Sequence, residues 1–277
     1  MNLRSYIFFV LIVLGINVGL VHAQSEADSI PASDIVESSV SVSVSESESE
    51  AEAAYRQNSF AESIKLYESE IGKNKQIKKE SPELYYNLGN AYFRDNQIAK
   101  AILNYERALL LDPGDSDIRH NLRFAKTRIE DKIDSADSFF VNQWIRSIQN
   151  LYTANRWAMI GIVLFLILII AVGSYVISTQ ITVRKISFYS GIVLLALVII
   201  ANAFAFKQKN KIVNRSTGIV MSASVSIHTS PDAHSQELFR LHEGSKVRIK
   251  REEGNWFEIV IANGSVGWLQ KKNIEKI

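Results

Sequence analysis

The sequence predicts a multidomain protein that combines an α-helical repeat array, a two-helix transmembrane hairpin and a small all-β barrel. The array is indicated by small and aromatic residues at helical spacing within residues 82–115. The barrel is indicated by alternating apolar and polar residues after residue 217. The hairpin is indicated by two uncharged apolar blocks, residues 158–177 and 186–206. Both blocks are long enough to cross a bilayer, so a wholly soluble protein is not expected.

The composition narrows the classes of function. The chain has 277 residues, of which 47% are hydrophobic, and its 31 Lys and Arg nearly balance its 29 Asp and Glu. This near-neutral charge gives no support for nucleic-acid binding. Because the chain has no Cys, a disulfide framework, a thiol nucleophile and a Cys-ligated metal site are excluded.

The N-terminus resembles a secretory signal peptide over residues 1–23. Arg4 precedes an apolar run, and Val21 and Ala23 are the small residues that a signal peptidase reads. An uncleaved N-terminal anchor is the alternative, and either one exports the segment that follows. Residues 24–50 are rich in Ser, Val and Glu and predict a disordered acidic tether, although the alternation in residues 39–46 would also suit a strand.

Two amphipathic helices are predicted within residues 82–115, over 82–96 and 98–111. Pro82 lies in a helix first turn, and Asp112-Pro113-Gly114 is a stop signal. The segment resembles a tetratricopeptide repeat, a helix–turn–helix unit of 34 residues. The signature positions of the family fall on Tyr85, Leu88, Gly89, Tyr92, Ala101, Tyr105, Ala108 and Pro113.

One repeat cannot bury its own faces, so we expect neighbours on both sides. Residues 59–68 look like the second half of an earlier repeat, and a helix that begins at Ser116 would cap the array. Repeats and capping helix together are expected over residues 51–138.

The resemblance to tetratricopeptide repeats implies a groove that binds peptides or partner proteins. The first helix of each repeat lines such a groove, where Asn90 would hydrogen-bond a peptide backbone and Arg94 would hold a carboxylate. The alternative is that these side chains make ordinary solvated or inter-repeat contacts. The expected groove residues are Glu83, Tyr86, Asn90, Phe93, Arg94, His120 and Phe124.

The membrane region is predicted as an interfacial helix followed by two spans. Residues 139–157 place aromatic and aliphatic side chains on one helical face, which suits a helix at the bilayer surface or, alternatively, a core or groove-facing helix of the array. The spans are expected over 158–178 and 186–206, joined by a short loop. An exported N-terminal domain followed by two crossings places the C-terminal domain on the same outer side. The basic residues at 207–215 conflict with this placement, because positive charge favours the cytoplasm.

Residues 217–277 change to a period of two, with turns that delimit five short strands. This segment resembles a bacterial SH3-like domain. Trp256 and Trp268 would line a peptide or glycan surface or else close the barrel, and closure is the preferred interpretation for Trp256. The matching stretches are residues 225–231, 241–247, 254–259 and 264–269.

Motifs of catalysis are absent from the sequence. It contains no His-Glu-x-x-His, no glycine-rich phosphate loop and no Gly-x-Ser-x-Gly. We therefore predict no catalytic, cofactor-binding or metal-binding residues, no cofactor and no enzyme activity.

The order of these modules resembles the E-type family of Bat aerotolerance-operon proteins of Bacteroidetes. That resemblance implies a stress-related complex in the bacterial inner membrane, with companion proteins that carry von Willebrand A domains. We therefore expect a non-enzymatic scaffold with both soluble domains in the periplasm. The alternatives are a peptidoglycan-binding module or accessory of a wall hydrolase, and a transporter subunit, which the uncharged spans disfavour.

Overall fold

A computed structural model describes residues 50–77, 79–132 and 140–277. The predicted signal peptide and the acidic tether up to residue 49 lie outside the described residues, as does the end of the predicted array at 133–138. Within these described residues, 50–56 are helical and seven longer helices follow. These are α1 (Phe60–Gln76), α2 (Pro82–Arg94), α3 (Ile98–Leu111), α4 (Ser116–Lys126), α5 (Phe140–Gln149), α6 (Ala154–Ile177) and α7 (Ile181–Asn214).

The helices of the repeat begin and end where local chemistry dictates. The Ser81 hydroxyl caps α2 by accepting a hydrogen bond from the Leu84 N–H at 3.3 Å, and Pro82 occupies the first turn. Asp115 caps α4 in the same way, with its carboxylate accepting from two backbone N–H groups. Helix α2 ends at Arg94, two residues before the predicted end, and α3 has its predicted bounds.

The core of the repeat is built from aromatic side chains between α1, α2 and α3. Tyr67, Tyr85 and Tyr105 are almost fully buried there, together with Ile102. Gly89 allows the close approach of α2 and α3, since a Cβ atom at this position would lie 2.7 Å from Cδ1 of Tyr105. This repeat core is therefore close-packed around its aromatic rings.

The two apolar helices, α6 and α7, pack against each other and are both long and apolar enough to cross a membrane. Their bounds correct the predicted hairpin. Only residues 178–180 separate the helices, so Arg184 and Lys185 lie in the first turns of α7 rather than in a loop. Helix α7 also continues to Asn214, beyond the predicted end of the span at residue 206.

The predicted helix over residues 139–157 is interrupted. Helix α5 ends at Gln149, residues 150–153 form a turn, and Trp157 belongs to α6. The indole Nε1 of Trp157 donates to the Gln149 carbonyl at 2.9 Å. This bond fixes the end of α5 against the start of α6.

The C-terminal region is an antiparallel sheet of seven strands: β1 (Thr217–Val220), β2 (Ser224–His228), β3 (Glu237–His242), β4 (Lys246–Glu253), β5 (Trp256–Val260), β6 (Val266–Gln270) and β7 (Ile274–Lys276). Their order in the sheet is β3-β2-β6-β5-β4-β1-β7. The sheet is open, since β3 and β7 are its two edges, so closure into a barrel is not confirmed. Five strands were predicted, and the two additional ones are the short strands β1 and β7, which pair with each other.

The sheet packs on the helical repeat. Helix α3 contacts β1, and Ile219 and Ile277 are buried in the same apolar cluster as the repeat core. A second apolar cluster lies within the sheet itself, around Ile227, Ile259 and Leu269. The sheet therefore has its own core and shares a further one with the repeat.

Candidate functional site

The inner surface of the array, which consists of Tyr86, Asn90 and Phe93 of α2 with Asn121 and Phe124 of α4, joins polar groups to aromatic rings. The Asn121 side-chain nitrogen donates to the Tyr86 hydroxyl and to the Asn90 Oδ1, both at 3.0 Å. The rings of Phe93 and Phe124 are in contact, with their centroids 5.5 Å apart. Because Phe124 is 49% exposed, the aromatic end of this surface is open to solvent.

Asn90 is held in place by the protein. Its Oδ1 accepts from the Tyr105 hydroxyl at 2.7 Å and also from Asn121. An asparagine has two amide hydrogens to donate, and the Asn90 amide nitrogen has no hydrogen-bond partner among the described residues. The expected bond to a peptide backbone can therefore be a donated one, to a carbonyl of the ligand.

The charged residues predicted for the groove lie towards the two ends of the inner surface. Glu83 is in the first turn of α2, where it accepts from the Ser81 hydroxyl at 2.6 Å. Arg94 ends the same helix, and its guanidinium lies 5.1 Å from the ring centroid of Phe60. His120 is exposed on α4. Of these three, Arg94 remains an accessible cation and His120 an accessible hydrogen-bonding group, whereas Glu83 takes part in capping.

Two residues of this surface were not predicted from the sequence. Asn121 links α2 to α4, and the Arg128 guanidinium lies 5.6 Å from the ring centroid of Phe124. Asn121 precedes Phe124 by three residues and so shares its helical face, a spacing that was sufficient to include it. Arg128 follows the end of α4, where a sequence pattern gives no direction for a side chain.

The signature residues of the repeat are buried and serve its packing. Burial is the main reason why the pKa of Tyr85 is raised to about 12, and the Glu80 carboxylate, which accepts a hydrogen bond from the Tyr85 hydroxyl, contributes to the rise. Burial and the bond to Glu68 likewise raise the pKa of Tyr92. Both phenols therefore stay neutral donors at physiological pH. Also buried are Leu88, Gly89, Ala101, Tyr105, Ala108 and Pro113.

A buried carboxylate joins the repeat to the sheet. Glu106 of α3 is 5% exposed and accepts from Lys126 Nζ at 2.7 Å and from Lys246 Nζ at 2.6 Å. Burial alone would raise the pKa of Glu106, but attraction to Lys246 and Lys126 outweighs it and lowers the pKa to about 2. Glu106 is therefore charged under all ordinary conditions, and its one carboxylate binds two cations at this contact.

Three further polar contacts tie the sheet to the helices. Asp131 accepts from the backbone N–H of His242 at 2.7 Å, lies 2.8 Å from its Nδ1 and also binds Ser245.

The other two contacts involve arginines. Arg107 of α3 donates to Glu275 at 2.8 Å and to the Lys276 carbonyl at 2.9 Å. Arg215, which follows α7, forms an ion pair with Glu80 before α2. The side of α3 that carries Glu106 and Arg107, which we call its outer side, is thus covered by the sheet.

The two tryptophans of the sheet differ in burial, against the expectation that Trp256 closes the barrel. Trp268 lies in the middle of β6 and is 6% exposed, with the Arg251 guanidinium 5.0 Å from its ring centroid. Trp256 begins β5 and is half-buried, in an edge-to-face contact with His228 at 5.5 Å between ring centroids. Trp256, which was expected to close the core, is therefore the one with an accessible face.

The tetratricopeptide repeat family model matches residues 82–115. These are the residues of α2, α3 and the turn after α3, so α2, which carries Tyr86, Asn90 and Phe93, belongs to such a repeat. A comparison with curated proteins found no match to the chain. Within residues 50–77, 79–132 and 140–277, no group of three or more His, Asp or Glu is placed to hold a metal ion.

Proposed function

We propose that the protein is a non-enzymatic membrane scaffold whose inner surface binds a segment of a partner protein. One observation carries the proposal: the inner surface is open at Phe124, whereas the outer side of α3 is occupied by the sheet. An accessible surface that combines aromatic rings, a free amide donor and the cations Arg94 and Arg128 suits an extended peptide with carbonyl groups and a carboxylate. Tetratricopeptide repeats generally mediate such protein–protein contacts.

The interface between repeat and sheet supports placing both on the same side of the membrane. The repeat precedes the apolar helices and the sheet follows them, and the two meet through Glu106, Asp131 and Arg107. Two crossings return the chain to its starting side, which is what this contact requires. The signal-like N-terminus supports the periplasm as that side and the bacterial inner membrane as the location.

The partner and the pathway are proposed from the resemblance of the module order. The Bat E-type family implies companion membrane proteins with von Willebrand A domains and a role in aerotolerance or stress. Holding a groove and a second module at one membrane surface would raise the effective concentration of whatever each binds.

A second candidate function concerns the C-terminal sheet. The sequence of residues 217–277 resembles a bacterial SH3-like domain, and the accessible face of Trp256 beside His228 suits stacking against a glycan or peptide. This observation favours binding of cell-wall peptidoglycan, or service to a wall hydrolase, as the alternative. Retention of the full chain on purified cell wall, and its loss in Trp256→Ala, would support it.

Site-specific photocrosslinking in intact membranes tests the main proposal. A photoreactive phenylalanine analogue replaces Phe124 on the inner surface or, as a control, Ile77 after α1, which is 65% exposed. We expect a discrete crosslinked partner from position 124 only. The crosslink should weaken in Asn121→Ala, which removes the bonds to Tyr86 and Asn90.

Two results would contradict the proposal. Equal crosslinking from positions 124 and 77 would mean that the inner surface has no special affinity. Absence of any crosslinked protein at 124, in a chain with normal thermal stability, would mean that no partner occupies it.

A further inference from the structure

A set of exposed cations surrounds the point where the apolar helices meet the repeat. No Asp or Glu occurs between residues 138 and 231, so this stretch of chain supplies no carboxylate of its own. No cation of this set forms an ion pair within the part of the chain that the structure describes. The set consists of Arg146 of α5, Arg156 of α6, and Lys207, Lys209 and Lys211 of α7.

A polar network fixes three of these cations near one another. Lys211 Nζ donates to the Asn150 Oδ1 at 3.3 Å, and the buried Gln208 side chain donates to the Gln149 carbonyl at 3.4 Å. These bonds attach the end of α5 to the extension of α7. Burial, and then repulsion from the neighbouring cations Lys207, Arg146 and Lys246, lowers the pKa of Lys211. Like charges held together in this way are stabilised by an anion placed between them.

The cluster lies at the depth of the headgroup layer of a bilayer and at its outer edge. Trp157 packs edge-to-face on Phe204, with 5.0 Å between ring centroids, and tryptophan is enriched at membrane surfaces. At about 1.5 Å of rise per residue, Lys207 and Lys211 lie about 4.5 Å and about 10.5 Å beyond Phe204 along α7. Because the headgroup layer is about 5–8 Å thick on each face of the bilayer, Lys207 lies within it and Lys211 lies just beyond it.

Apolar side chains flank the cluster on the same short helix. Trp144 of α5 is 68% exposed and Ile145 is 37% exposed, and Leu151 in the following turn is 52% exposed. An exposed apolar group next to two membrane-length helices is suited to the boundary between headgroups and acyl chains. The combination of apolar and cationic side chains at one depth favours a lipid over an acidic protein.

From these observations we propose that Arg146, Lys207 and Lys211 form a binding site for the phosphate headgroup of an anionic phospholipid, on the bilayer face nearest the repeat. The site rests on the proposed membrane crossing and goes beyond it, because it assigns a ligand class to residues outside both the groove and the sheet. Its role is to seat α5 on the membrane and so to fix the orientation of the repeat above the bilayer.

The test measures binding of short-chain phosphatidylglycerol and short-chain phosphatidylcholine to the full chain in zwitterionic detergent. The variant combines Arg146→Gln, Lys207→Gln and Lys211→Gln. The matched control combines Lys65→Gln, Lys73→Gln and Lys75→Gln, three exposed cations of α1, and loses the same net charge. Each cation at an anionic surface contributes about fivefold. We therefore expect the variant to lose about tenfold or more of the preference for phosphatidylglycerol, and the control to keep it.

Several outcomes would overturn the lipid site. Equal binding of the two lipids by the unmodified chain would do so, and so would a variant that keeps its preference for phosphatidylglycerol. Equally tight competition by inorganic phosphate would assign the cluster to a free anion. A partner crosslink that is lost in the variant, with lipid preference unchanged, would assign it to an acidic protein. Release of the unmodified chain from membranes by alkaline carbonate would instead refute the membrane crossing, whereas an integral chain without lipid preference refutes the headgroup site alone.

Discussion

Replacing Glu106 by Gln tests whether charge holds the repeat and the sheet together. The pKa of this carboxylate is lowered from an ordinary value of 4.5 to about 2. At about 1.4 kcal/mol per pKa unit, the folded protein stabilises the charged form by about 3 kcal/mol. Because Lys126 and Lys246 are 39% and 40% exposed, water compensates part of their loss. We therefore expect Glu106→Gln to lower the free energy of unfolding by about 2 kcal/mol.

The assay is thermal unfolding of the full chain in detergent micelles. For a folded unit of this size, a loss of about 2 kcal/mol lowers Tm by roughly 4–8 °C. The control is Glu243→Gln, which neutralises an exposed carboxylate without an ion pair among the described residues. A carboxylate whose pKa is lowered stabilises the fold in full above its unfolded pKa and loses that stability as pH falls through its folded pKa. The difference in Tm between Glu106→Gln and the unmodified chain should therefore shrink as pH falls from about 4.5 towards 2. An equal Tm for the two variants at neutral pH would refute the reasoning.

Two further substitutions test the packing of the repeat and the second polar contact with the sheet. In Gly89→Ala the added Cβ would lie 2.7 Å from the buried ring of Tyr105. The cost of overpacking, about 2–3 kcal/mol, exceeds the gain in helix propensity of about 1 kcal/mol. Chemical denaturation should therefore show a free energy of unfolding lower by about 1–2 kcal/mol. The bond to Asp131 raises the pKa of His242. Burial alone would raise the pKa of Asp131, but the hydrogen bonds from His242 and Ser245 outweigh it and lower this pKa. This pair therefore stabilises the fold most between about pH 4 and about pH 6.5. Above that window, the protection factors against hydrogen exchange at residues 242–245 should fall in the unmodified chain but show no such step in Asp131→Asn.

Local pattern was sufficient to predict the repeat. The spacing of Tyr85, Leu88 and Tyr92 is fixed by the period of the helix, and the Ser81–Pro82 cap and the Asp112-Pro113-Gly114 stop are local signals. The bounds of α7 were missed for the opposite reason. Arg184 and Lys185 have good helix propensity, so their charge indicates where a span ends and not where a helix begins.

Contacts between distant parts of the chain could not be predicted from spacing. Glu106 and Lys246 are 140 residues apart, and nothing in either helix or strand pattern pairs them. The two tryptophans show the same limit. Trp268 lies in the middle of β6, paired with His228 of β2 and Glu258 of β5, whereas Trp256 follows a turn at the start of β5, and only the strand pairing shows which neighbours cover Trp268.

The connection between α7 and β1 has a mechanical consequence. Arg215 and Ser216 alone separate the helix from the strand, and Arg215 adopts a left-handed backbone conformation while its guanidinium pairs with Glu80. Residues 207–214 extend the helix by about 12 Å beyond its apolar part. This helical extension acts as a spacer. In the proposed membrane scaffold it would set the height above the bilayer at which a partner must present its own segment, so partners that reach a different height would be rejected whatever their sequence.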